Sequence, residues 1–139
     1  MKIEVRYVSR GGNTKKVAEA IAKAIDVEAK DCSIPLTAPV DLLFLGGSVY
    51  WGGADKNLKQ FIEQLNPSLI KCIATFGTSA LTKEPDRETA KLADKKGIPV
   101  SQFTFHCKGS FSAMHKGRPN AEDLKQAAIF ARNVVNELK

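Results

Sequence analysis

The sequence predicts an α/β protein: a doubly wound, five-stranded parallel sheet with helices on both faces. Three observations carry this reading. Apolar, strand-like runs alternate along the chain with stretches whose apolar residues recur at helical spacing. Asp41-Leu42-Leu43-Phe44-Leu45-Gly46-Gly47 is almost continuously apolar, as a strand covered on both faces must be. The segments after the first, third and fourth runs are rich in glycine and hydroxyl groups, and these are the strand ends where such sheets take their ligands.

In chain order, Lys2 to Val8 reads as the first strand, and Val17, Ala18, Ile21, Ala22 and Ile25 form the buried stripe of the first helix. Val27 to Cys32 reads as a second strand, followed by the proline-punctuated Ser33 to Pro39, which leaves little room for a helix. The third strand is Asp41 to Gly47, and a loop from Ser48 to Gly53 leads to a helix burying Leu58, Phe61, Ile62 and Leu65, stopped by Asn66-Pro67. Leu69 to Phe76 is expected as the fourth strand, Asp86 to Lys96 as a helix closed by Gly97, and Ile98 to Cys107 as the fifth strand. A last helix begins near Pro119-Asn120 and is expected to bury Leu124, Ala127, Ala128, Ala131, Val134, Val135 and Leu138.

A chain of 139 residues is about one domain's worth, so residues 1–139 are read as one unit with one site. Its composition, 43% hydrophobic and 26% charged, is that of a chain able to bury a core. Charges inside Met1-Lys2-Ile3-Glu4-Val5-Arg6-Tyr7-Val8 exclude a signal peptide's apolar region, and no stretch approaches the roughly 18 apolar residues of a membrane span. A cytoplasmic protein without membrane association is expected. Cys32, Cys72 and Cys107 lie far apart with no CxxC, which argues against disulfides or zinc and for small core residues. The net charge of +6 permits an anionic partner, but basic residues do not interleave with aromatics, so nucleic acid is not expected.

Ser9-Arg10-Gly11-Gly12-Asn13-Thr14 stands where the first helix opens. Unsatisfied backbone N–H groups and the helix dipole favour a phosphate there, and Ser9, Asn13 and Thr14 add side-chain donors; the plainer alternative is that Asn13 or Thr14 only caps the helix. Neither GxxxxGK[ST] nor GxGxxG occurs, which excludes the familiar nucleoside-triphosphate and dinucleotide loops and leaves a monophosphate. Arg10, Lys15 and Lys16 are close enough in sequence to add positive potential, or are solvated.

The second loop, Ser48-Val49-Tyr50-Trp51-Gly52-Gly53, holds the chain's one tryptophan beside one of its two tyrosines. Flanking glycines let an aromatic lie flat against a planar ligand, or let it fold over the sheet edge. His106, Cys107 and His115 have no metal-closing spacing and no carboxylate near them in sequence, so Lys108, Phe111 and His115 read as a surface that touches a partner.

These segments, in this order, resemble the flavodoxins nearly end to end. Ser9 to Thr14 is similar to their phosphate loop, Leu45 to Gly53 to the loop supplying a stacking aromatic, and Lys71-Cys72-Ile73-Ala74-Thr75-Phe76-Gly77-Thr78-Ser79 to the next strand and loop. The resemblance implies the strand order 2-1-3-4-5, one FMN and electron transfer without a catalytic acid or base. It implies that Ser9, Arg10, Gly11, Gly12, Asn13 and Thr14 hold the phosphate. Trp51, with Tyr50 as substitute, would stack on the ring, and Ser48, Val49, Gly52, Gly77, Thr78 and Ser79 would line it. The redox partner would be a protein, acidic by the reversed charge, with the chain a monomer or weak dimer. This chain departs from the family in three ways. Gly11 replaces a hydroxyl, the charge is basic instead of acidic, and no aromatic falls between Gly77 and Arg87. An FMN-dependent reductase of a small acceptor such as a quinone, and a binding module without cofactor, are the alternatives these departures leave.

Overall fold

The computed structural model describes residues 1–50, 53–79, 84–109 and 117–139, with the backbone alone of Val49, Tyr50 and Gly53. The strands are β1 (Ile3–Tyr7), β2 (Ala29–Asp31), β3 (Leu42–Tyr50), the two-residue β4 (Gly53–Ala54), β5 (Ile73–Ser79) and β6 (Phe105–Lys108). The α-helices are α1 (Asn13–Ala24), α2 (Lys56–Gln64), α3 (Pro85–Lys95) and α4 (Ala121–Leu138). The sheet order is β2-β1-β3-β5-β6, all parallel, with β4 antiparallel to the end of β3. Without β4, this is the 2-1-3-4-5 order of the expected doubly wound sheet.

Side-chain alternation along the strands divides the core in two. Val5, Tyr7, Phe44, Ala74, Phe76 and Cys107 face α1 and α4, where they meet Val17, Ile21, Ala127, Phe130 and Val134. Leu43, Leu45 and Ile73 face α2 and α3, against Leu58, Phe61, Ile62 and Ala93. Phe44, fully buried, meets Phe130 edge-on at 5.7 Å between ring centroids. Phe130 was missing from the expected stripe of α4, whereas Leu138 proves exposed, because the stripe drifts around the helix toward its last turn.

The charged residues of β1 have a structural cause. The β2-to-β3 connection contains no helix, so an extended segment alone covers β1 on the α2 side. There Glu4 and Arg6 alternate inward: Arg6 donates to the Ile34 carbonyl at 3.0 Å and to Glu4 Oε1 at 2.7 Å. Burial pushes the Glu4 carboxyl up, but its bond to Arg6 and the charges of Arg6 and Lys2 hold it below its ordinary value.

The boundaries of β3, β5 and β6 differ from expectation. β3 runs on through Ser48 to Tyr50, where a loop was expected. β5 starts at Ile73, because Asn66 caps a 3-10 turn over Pro67–Leu69 that consumes the expected first residue, and it continues through Gly77, Thr78 and Ser79, which were read as loop. The fifth strand shortens to β6. Val100 bridges Ile73 and Phe105 pairs with Phe76, so five steps of chain oppose three, and the surplus turns out of the sheet around the Ser101 hydroxyl, which accepts from Phe103 N–H.

At the start of α4, Asn120 and Asp123 form a reciprocal cap, and Arg118 clasps Asp123 through two hydrogen bonds. The Arg118 bonds hold the Asp123 carboxyl below its ordinary value of 3.8, against the opposing effect of burial and with help from the Asn120 N–H. Of the three thiols only Cys107 is fully in the core, while Cys32 and Cys72 are half-buried. Burial, aided by Asp31 and Asp123 respectively, pushes Cys32 and Cys107 up to about 12.

Phe44→Ala is expected to cost about 3–5 kcal/mol in urea unfolding, the price of a large ring deleted from a closed core. The folded pKa of Asp123 lies below its unfolded one, so the pair stabilises at neutral pH and that contribution is lost as pH falls through the folded value. Asp123→Asn is therefore expected to flatten the loss of stability between about pH 5 and about pH 1, read by unfolding midpoints. Iodoacetamide at pH 8 is expected to label Cys32 and Cys107 slowly in the folded chain and rapidly in guanidinium, as mapped by mass spectrometry.

Candidate functional site

Because all five principal strands are parallel, the loops that follow them gather at one edge of the sheet, and α1 and α2 begin there. The first loop turns into α1 through Gly12, whose φ of 89° suits a residue without Cβ. Ser9 Oγ accepts the Gly12 N–H at 3.0 Å and closes the loop into a small ring. Among the described residues no side chain caps α1, so its first turn presents backbone N–H groups at an exposed loop. A Cβ placed on Gly11 or Gly12 would meet nothing within 4 Å, so the loop borders open space. Backbone N–H groups at a helix start beside open space are the features of an anion-receptive cradle.

Two of the expected phosphate donors point elsewhere. Thr14 is fully buried, and its hydroxyl lies 2.9 Å from Ser48 Oγ and 2.8 Å from Thr78 Oγ1, which are 3.2 Å from each other. Three hydroxyls in a triangle can each donate to the next, so the cluster can satisfy itself. The Thr14 side chain ties α1 to the ends of β3 and β5. The Asn13 side chain lies against Gly109, where a Cβ would stand 2.8 Å from its amide nitrogen. Asn13 thus seats the loop against the segment after β6, and Gly109 leaves room for it.

Arg10 reaches across to α2, its Nε donating to Asp55 Oδ2 at 2.6 Å. Asp55 is buried and caps α2 by accepting from Asn57 N–H at 2.8 Å. One carboxylate thereby fixes both the guanidinium beside the first loop and the start of the second helix. Beside this pair lies a cleft of about 550 Å³, lined by Ser9, Arg10 and Ser33 and by Asn57, Gln60 and Gln64 on one stripe of α2.

Gly77 lies in β5 beneath Pro85, and Ser79 is buried at its end. Val49 and Tyr50 extend β3, paired with Ala54 and Gly53. Trp51 and Gly52 lie outside the described residues, as do Phe111 and His115. His106 has the carboxylate that sequence proximity did not show: its Nδ1 stands 3.0 Å from Oδ1 of buried Asp86, out of line for a hydrogen bond. No group of three metal-ligating side chains occurs among the described residues, and no helix there is long and apolar enough to cross a membrane.

Sequence reading missed the hydroxyl triangle, the Arg10–Asp55 link and the place of Gly109. A signal for the first was present. Ser48 and Thr78 both follow glycine at the ends of strongly apolar strands, where a lone polar residue needs a partner.

A family model described as the flavodoxin domain matches residues 5–110. The chain belongs to the flavodoxin family. Within it, an uncharacterised protein of Methanocaldococcus jannaschii, MJ0298, is 26% identical over 149 residues, covering 97% of this chain and 99% of that one. The flavodoxin-like domain-containing protein BilS of Clostridioides difficile is 37% identical over 86 residues, covering 57% of this chain and 49% of BilS. Among solved structures, a flavodoxin from the domain Archaea superposes with a TM-score of 0.82 at 20% identity, with 99% of each chain covered. As in the flavodoxin fold generally, the first-loop cradle here lies at the carboxyl edge of the sheet.

Thr14→Val is expected to cost about 1–3 kcal/mol in chemical unfolding, because Ser48 and Thr78 then lose a partner in a buried place. Thr14→Ser, which keeps the hydroxyl, is expected to retain most of that stability.

Proposed function

We propose that this flavodoxin-family chain binds one FMN and serves as an electron carrier. The observation that carries the reading is the N-terminus of α1, which no side chain among the described residues caps, set behind a glycine loop at the carboxyl edge of the sheet. The groups present fit a phosphate monoester. The N–H groups that open α1, the Ser9 O–H and the Arg10 charge are proposed to meet the phosphate, and Gly11 and Gly12 add no side chain to the loop that would hold it.

FMN, when bound, supplies one- and two-electron chemistry at its ring. The protein's own part is placement. Thr14, Ser48 and Thr78 lock α1 to β3 and β5, which fixes the cradle relative to the strand ends. Ser48, Val49, Tyr50, Trp51 and Gly52 on one side, and Gly77, Thr78 and Ser79 on the other, are proposed to border the ring, with Trp51 as the stacking aromatic. The absence of an aromatic between Gly77 and Arg87 leaves one ring face without a stacking partner from that segment. No side chain is assigned a proton-transfer role.

Purified protein mixed with FMN and passed through a desalting column is expected to keep the visible absorption bands of a bound flavin. Trp51→Ala is expected to weaken FMN at least about tenfold, the equivalent of one aromatic stacking contact. Protein that stays colourless at high FMN concentration would sink the proposal.

A further inference from the structure

The four helices obey different charge rules at their starts. The first turn of α3 carries Asp86 and Glu88, and that of α4 carries Glu122 and Asp123, as the positive end of a helix dipole favours. The first turns of α1 and α2 carry no acid and hold lysines instead, Lys15 and Lys16 in one, Lys56 and Lys59 in the other, although α2 has Asp55 as its N-cap. Lysine at a helix N-terminus opposes the dipole and costs stability. The two helices that break the rule are the two joined through Arg10 and Asp55 beside the first loop.

All four lysines are exposed, and none has a carboxylate within 4.0 Å among the described residues. Several acids near this edge are engaged elsewhere: Asp55 with Arg10, Glu84 with Arg87, Asp123 with Arg118, and Asp31 with the Ser33 N–H, while Glu88 and Glu122 belong to α3 and α4 and Asp86 is buried. The α1 dipole and the four lysines therefore add to one positive field around the first loop. Next to it the cleft offers the Asn57, Gln60 and Gln64 amides, which can donate to carboxylates or to main-chain carbonyls.

We propose that this edge is the docking surface for an acidic electron-transfer protein, which sets its carboxylates against Lys15, Lys16, Lys56 and Lys59 and lays a protruding segment in the cleft. The inference rests on the electron-carrier reading. Charge complementarity of this kind mainly speeds encounter and fixes orientation, so its mark is a rate that depends on salt.

The test begins with protein that has retained FMN and been reduced with dithionite freed of excess. Stopped-flow mixing follows electron transfer to oxidised rubredoxin, a small acidic iron protein whose ferric iron takes one electron and becomes ferrous, and in parallel to basic cytochrome c. The rubredoxin rate constant is expected to fall as salt rises. The triple variant Lys15→Glu, Lys16→Glu, Lys56→Glu is expected to lower it about tenfold at low salt. Lys15→Gln, Lys16→Gln, Lys56→Gln, gentler on the fold, is expected to lower it by less. A control with the same change in net charge, Lys91→Glu, Lys125→Glu, Lys139→Glu, is expected to stay within about twofold of wild type. Equal effects of the two glutamate triples, a salt-independent rubredoxin rate, or a cytochrome c rate that falls with salt as steeply as the rubredoxin rate would overturn the docking surface while leaving the carrier intact. Failure to retain FMN overturns the carrier reading, and the docking surface with it.

Discussion

Parallel pairing governs this molecule. When each strand runs the same way as its neighbours, the chain must return to the starting edge before every new strand, and helices do most of that returning. Each principal strand then ends at one edge, and α1 and α2 begin there, α2 capped by Asp55 and α1 with no cap among the described side chains. The cradle at α1 is thus a consequence of topology, and the residues around it need only keep it open. Gly12 supplies the backbone angle, Ser9 closes the ring and Gly11 stays out of the way.

The hydroxyl triangle shows how a polar site is attached to an apolar core without an orphaned group. Above Phe44 and Phe76 the strands change from hydrocarbon to glycine and hydroxyl within two residues, and Thr14 descends from α1 to complete the set. The result is a rigid joint between one helix and two strands made of three short side chains. Arg10 and Asp55 make a second joint on the opposite side of the loop, so the cradle is held from both faces of the sheet.

Most of the architecture was legible because the two periodicities are strong. The continuous apolar run of β3 and the helical spacing in α1 and α2 survive any local detail. The errors share one origin, since strand ends were judged by polarity. Thr78 and Ser79 look like loop, yet they are buried strand, and the Thr78 hydroxyl meets those of Thr14 and Ser48, which keeps the cost of its burial low. Leu69 looks like strand, yet it belongs to a turn set by Asn66 and Pro67. The site loops were legible as text, but the inward turn of Thr14 was not, because its partners lie 34 and 64 residues away.

The missing helix between β2 and β3 reaches further than the cleft it leaves. Over β1 the sheet is sealed on that side by an extended segment that Arg6 tethers through one carbonyl, and the residues beneath are charged. A connection of this kind can lengthen at small entropic cost between its apolar anchors Cys32, Leu36 and Val40. Here the protein has room to acquire new sequence: a helix, a recognition loop or a whole inserted module, delivered beside the first-loop cradle while the fold beneath it stays as it is.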